Sequence, residues 1–79
     1  MAAEEVATVV DAQGLLCPLP VLRARKAMKE LPPGGLLKVL ATDPGAVKDF
    51  EHFCAATGSA LVESSAAGGV LTFLIRKPA

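Results

Sequence analysis

Cys17 heads the run Cys17-Pro18-Leu19-Pro20, at the point where a first strand gives way to a first helix. The first-turn amides of a helix have no intrahelical partner, and they carry the positive end of the helix dipole. A thiol there drops from a pKa of about 8.5 toward roughly 3.5–7.5. A fall of one unit takes the thiolate at pH 7 from ~3% to ~24%, so the expectation is a reactive, acidified Cys17. Pro18 and Pro20 suit a first turn, where a missing N–H costs little, and they leave the amides of Leu19 and Val21 as donors toward the sulfur. Leu15, Leu16 and Leu19 add an apolar rim. Spacing alone also fits a structural cysteine at a helix start, and that alternative describes a regulatory or protein-interaction module without catalysis.

The remaining reactive residue types form no second constellation. Cys54 follows Phe53 at an apolar helical position and reads as core; nothing in the spacing pairs it with Cys17 as a Cys-x-x-Cys redox unit. His52, the single histidine, lies two residues from Cys54, which points the side chains apart on a helix, so no metal site is expected. No paired carboxylates, Ser/His/Asp set or glycine-rich cofactor loop is present, and no cofactor is expected.

The elements that must position Cys17 are legible from pattern. Residues 6–10 are β-branched and run into Asp11, Gln13 and Gly14, a strand ending in a turn. Over 20–31, Val21, Ala24, Met28 and Leu31 repeat at helical spacing until Pro32-Pro33-Gly34-Gly35 stops the helix. Residues 36–41 form a buried strand. Thr42 or Asp43 then caps a second helix with Pro44 in its first turn, and Val47, Phe50, Phe53 and Cys54 or Ala55 give its apolar face up to Gly58. Strands at 60–64 and 70–76 close the chain. The order βαβαββ implies an α/β (α+β) two-layer sandwich, a four-stranded mixed sheet with both helices on one face. Thr8, Thr72 and Glu63 are expected on the open side.

At 79 residues the chain makes one domain, 1–79, and its 52% hydrophobic content is what so small a core requires. Eight basic and eight acidic residues balance, and only three phenylalanines supply aromatic bulk, which argues against stable nucleic-acid binding. Glu4 and Glu5 stand where a secretory signal carries basic residues, and no apolar run approaches the ~18 residues of a membrane span. These features fit a cytoplasmic protein with free thiols and no membrane attachment.

Asp11-Ala12-Gln13-Gly14-Leu15-Leu16-Cys17-Pro18-Leu19-Pro20 resembles the Asp-x-x-Gly-x-x-Cys-Pro-x-Pro motif of the TusA family, also called SirA-like proteins. Arg25-Lys26, Ala41-Thr42-Asp43-Pro44, Phe53-Cys54 and Phe73-Leu74-Ile75-Arg76-Lys77 resemble the family in order, so the likeness spans nearly the whole chain. The resemblance implies a sulfurtransferase-type carrier, with Cys17 receiving sulfane sulfur as a persulfide and handing it on. Its implied donors are a cysteine desulfurase or a rhodanese-like protein, its acceptors DsrE-like or TusD-like proteins, and its routes tRNA thiolation, sulfur oxidation or general sulfur trafficking. It implies motif roles for Gly14, Pro18 and Pro20 and partner contacts at Arg25 and Asp43. Leu19 departs from members serving tRNA thiolation, which often carry an acidic residue between the prolines, and so marks partner choice. Arg23, Lys26 and Lys29 join Arg25 in an expected basic face on the first helix, solvated charge being the simpler account of about half of them.

Overall fold

A strand that leaves a turn and returns parallel to itself needs a crossover, and the chain supplies one twice. The computed structural model describes residues 8–78. Its elements are β1 (Thr8–Ala12), α1 (Leu19–Met28), β2 (Leu36–Ala41), α2 (Ala46–Thr57), β3 (Ala60–Ala67) and β4 (Val70–Arg76). The sheet order is β1-β2-β4-β3, with β1 parallel to β2 and the other neighbours antiparallel. This is the expected βαβαββ mixed sheet.

Alternation along the strands puts the core on one side. Leu37, Val39 and Ala41 of β2 are buried and lie opposite Ile75, Phe73 and Leu71 of β4, while Lys38 between them is exposed. Ala12 of β1 joins the same face. Against it pack Pro20, Ala24 and Met28, successive turns of α1, and Ala46, Phe50, Phe53 and Cys54 of α2. The Phe50 ring stacks on Phe73 at 4.7 Å and meets Phe53 edge-on at 6.2 Å, a geometry that aromatic quadrupoles favour. Both helices therefore cover one face. Thr72 and Glu63 lie on the other, as expected, whereas Thr8 shares the side of Val10 and Ala12 at its exposed end.

The boundaries differ from expectation for local reasons. Strand β1 runs on through Asp11 to Ala12, because the parallel ladder with β2 continues to Ala12 opposite Ala41; residues 6 and 7 lie outside the described residues. Helix α1 ends at Met28, and the stretch to Leu31 is tightened by Glu30 N–H donating to the Ala27 carbonyl and Leu31 N–H to that of Met28, since Pro32 disfavours helical geometry before it. Helix α2 starts at Ala46, not at Pro44. Strand β3 continues to Ala67 although its second half is exposed, because each residue there pairs with β4. The two strands meet in Gly68-Gly69, both at positive φ (59° and 82°), the requirement of the two-residue turn that matches strand twist.

Replacing Phe50 by Ala should remove the ring that joins α2 to β4 and lower unfolding free energy by about 3–5 kcal/mol in urea denaturation; a change under about 1 kcal/mol, the scale of an ordinary surface substitution, would contradict this core.

Candidate functional site

The carboxyl ends of β1 and β2 lie side by side, with Ala12 opposite Ala41, and the segments that follow hold Gly14 and Cys17 on one side and Thr42 and Asp43 on the other. Such ends of parallel strands are where open α/β sheets place their ligands. Three long-range bonds hold the two loops together. Gly14 N–H donates to Thr42 Oγ1 at 2.9 Å, from a backbone at φ 83° that favours glycine. Cys17 N–H donates to Asp43 Oδ2 at 2.7 Å, and the other oxygen of Asp43 accepts Gly45 N–H at 3.3 Å. The Cys17 thiol donates to Asp49 Oδ2, on the first turn of α2. Gly45 approaches closely enough that a side-chain carbon there would lie 3.7 Å from the Cys17 Cβ.

These bonds revise the electrostatics expected for Cys17. Helix α1 begins at Leu19, two residues on, after a cis Cys17–Pro18 peptide bond. The Leu19 amide does not face the sulfur but donates to the Leu16 carbonyl at 2.9 Å. The hydrogen bond to Asp49 pushes the Cys17 thiol above its ordinary value, with desolvation and the charges of Asp49 and Asp43 adding in the same direction. Cys17 is thus an exposed thiol kept protonated by a carboxylate, rather than a thiolate stabilised by a helix terminus. Cys54 is the other free thiol; it is buried in the core, and burial pushes its pKa up.

The surroundings sort the remaining sequence candidates. Leu16 and Leu19 are 71% and 45% exposed and, with Leu22, form the rim, whereas Leu15 turns toward the core. Pro18 is exposed beside the thiol; Pro20 is fully buried and anchors the helix start. Between α1 and α2 runs a groove of about 260 Å³ that begins at Pro18 and Asp49, has Val21 and Phe53 among its walls, and carries Arg25 and His52. The Arg25 guanidinium sits 5.6 Å over the Phe53 ring. The basic face of α1 is divided: Arg25 and Lys29 line the α2 side, while Arg23 and Lys26 border a separate concavity with Asp11 and Glu30. Asp43 neither caps α2 from its N-cap position, which Gly45 occupies, nor acts alone; it ties Cys17 to the loop before α2.

Asp49 is the residue that sequence reading missed. At the amino end of a helix an acid is explained by the dipole, and no local spacing links positions 17 and 49. Among the described residues no cluster of three or more His, Cys, Asp or Glu could hold a metal ion, and no helix is long and apolar enough to cross a membrane.

A family model described as Sulfurtransferase TusA matches residues 8–77. The chain belongs to the TusA family. A sulfur carrier protein TusA of Allochromatium vinosum is 53% identical over 68 residues, covering 86% of this chain and 90% of the relative. Its counterpart in Pseudomonas aeruginosa PAO1 is 45% identical over 74 residues, or 94% of each chain. The crystal structure of a SirA-like protein from Desulfitobacterium hafniense superimposes with a TM-score of 0.80 at 30% identity, covering 91% of this chain and 99% of that one. The two-layer fold described above is therefore the TusA fold.

The two cysteines should separate cleanly. Under native conditions iodoacetamide should modify Cys17 alone, with a rate that climbs to a midpoint above that of an ordinary thiol, since the neutral form persists to higher pH; Cys54 should react only in denaturant, as peptide mapping by mass would register. Replacing Asp43 by Ala removes the acceptor of two backbone amides and should cost about 1–3 kcal/mol of stability in urea, the scale of hydrogen bonds to a charged group.

Proposed function

We propose that this chain is a cytoplasmic sulfur carrier that takes sulfane sulfur onto Cys17 as a persulfide and passes it to a thiol of another protein. The observation that carries this reading is the exposed Cys17 thiol, held at the mouth of the groove by Asp43 and Asp49, in a chain of the TusA family. In loading, Cys17 sulfur attacks the outer sulfur of a donor persulfide. A new S–S bond forms at Cys17, the donor S–S bond breaks, and the proton lost by Cys17 reaches the departing donor sulfur, so that thiol and persulfide change places with no net oxidation. Unloading is the same exchange with the carrier as donor. Relatives named as sulfur carriers support this assignment.

The apolar rim of Leu16, Leu19 and Leu22 suits docking beside the sulfur, because a dry contact shields a persulfide from water. Leu19, Arg25 and Asp43 are the partner contacts in this reading, and Asp43 also holds the backbone of Cys17 in place. Donors of the cysteine desulfurase or rhodanese-like kind and acceptors of the DsrE-like or TusD-like kind match this chemistry, since each presents a cysteine that exchanges sulfur. The module in which Cys17 is merely structural draws no support from an exposed thiol; Cys54 is the cysteine whose burial fits such a role.

Incubation with a cysteine desulfurase and cysteine, or with a persulfidated rhodanese, should add the mass of one sulfur to the intact chain, removable by a reducing thiol. Cys17→Ser should abolish the adduct, and Cys54→Ser should keep it. Failure of the native chain to take sulfur from any persulfide donor would end this reading.

A further inference from the structure

We infer that Asp49 weakens the hold of Cys17 on sulfur: its carboxylate accepts the hydrogen bond of the empty thiol and opposes the negative charge that the loaded persulfide brings to the same place. The inference rests on the carrier reading and adds to it a residue that sets the energy of the loaded state.

The empty and the loaded cysteine offer a neighbour different groups. An empty Cys17 has an S–H, and that hydrogen points to Asp49 Oδ2. A persulfide has no proton on the inner sulfur, and its outer S–H is more acidic than a thiol, so the loaded form carries its charge at neutral pH. Written with charges, Cys17–SH plus R–S–S⁻ gives Cys17–S–S⁻ plus R–SH: the R–S–S bond breaks, an S–S bond forms at Cys17, and the Cys17 proton ends on the R sulfur. Loading thus removes the hydrogen bond to Asp49 and places an anion beside its carboxylate.

The surrounding groups reinforce the sign. Asp43, from the loop before α2, is a second carboxylate against Cys17, bound to its amide. The amides of Cys17 itself and of Leu19 are committed, Cys17 N–H to Asp43 and Leu19 N–H to the Leu16 carbonyl, and so do not serve as a cradle for the sulfur anion. The basic residues along the groove that Asp49 lines are Arg25 of α1, seated over Phe53, and His52 of α2; Lys48, exposed just before Asp49 on α2, and Arg23, Lys26 and the C-cap residue Lys29 of α1 are not part of its lining. Asp49 is half-buried at the groove mouth, where water screens its charge less than on an open surface. The same bond raises the thiol pKa, in agreement with a carboxylate that favours the protonated, empty cysteine.

The test equilibrates the full-length native chain, Asp49→Asn and Asp49→Glu with fixed ratios of glutathione persulfide to glutathione at neutral pH, and reads the loaded fraction of Cys17 by intact mass. Asp49→Asn should move the exchange constant toward the loaded chain by about tenfold, and should lower the pH midpoint of Cys17 alkylation, the same interaction seen from the thiol side. Asp49→Glu, which keeps the charge, should stay with the native chain in both readouts. An Asn variant that loads equally or less, or whose alkylation midpoint does not move while the native chain loads normally, overturns the inference and leaves the carrier reading standing. A native chain that takes no sulfur at any ratio overturns both.

Discussion

The Asp43 carboxylate joins the two halves of the site. One oxygen holds the backbone of Cys17 and the other the amide of Gly45, so the loop after β1 and the loop before α2 are fixed to one another across the top of a parallel strand pair. Remove that tie and Cys17 would sit on a connector between a short edge strand and a helix with Pro18 at its N-cap and Pro20 in its first turn, with its sulfur free to wander relative to α2. With the tie in place, Asp49 and the thiol meet, because both depend on where α2 begins. The bond from Gly14 to Thr42 repeats the constraint one step nearer the sheet, at a backbone angle that explains the glycine.

Helix α2 is in turn located by the aromatic packing beneath it. Phe50 is fully buried and stacks on Phe73, and Phe53 meets Phe50 edge-on while Arg25 lies over its ring. Asp49 is the residue just before Phe50, so the rotation of α2 that buries Phe50 also turns Asp49 toward α1 and the Cys17 loop. A three-phenylalanine core thus sets the direction of a carboxylate at the surface. Small side chains make the close approach possible: Ala24 and Ala46 are buried with almost no exposed surface, and Gly45 passes beside the Cys17 Cβ.

Much of this was readable before any coordinates. Strands β2 and β4 matched their expected bounds because each is a continuous apolar run closed by turn residues, and both helices announced themselves by the spacing of Ala24 and Met28 and of Phe50 and Phe53. The ends were less legible where pairing, not side-chain type, decides: β3 carries Ser64, Ser65, Ala66 and Ala67 as strand only because β4 lies alongside. The motif singles out Cys17, which the structure leaves exposed, but the electrostatic surroundings of its sulfur are not legible there. A thiol before a helix reads as acidified until the structure shows that the Cys17 and Leu19 amides are spent on Asp43 and Leu16 and that a carboxylate from a residue 32 positions on faces the sulfur. Tertiary hydrogen bonds of that range leave no mark on local spacing.

The physical sense of the arrangement lies in what a carrier must avoid. Stability is gained by burying a group and satisfying its hydrogen bonds, yet a sulfur that must change hands at two different proteins can be neither buried nor strongly satisfied in its loaded form. The fold resolves this by spending its hydrogen bonds on the backbone around Cys17 and leaving the thiol exposed, with apolar Leu16, Leu19 and Leu22 close by. The backbone is held firmly, so the sulfur is presented at a defined place; the atom itself is held by a single bond that exists only while it carries a proton. Shielding from water and a second reacting sulfur then have to come from the partner's surface, and exchange becomes favourable where docking supplies both.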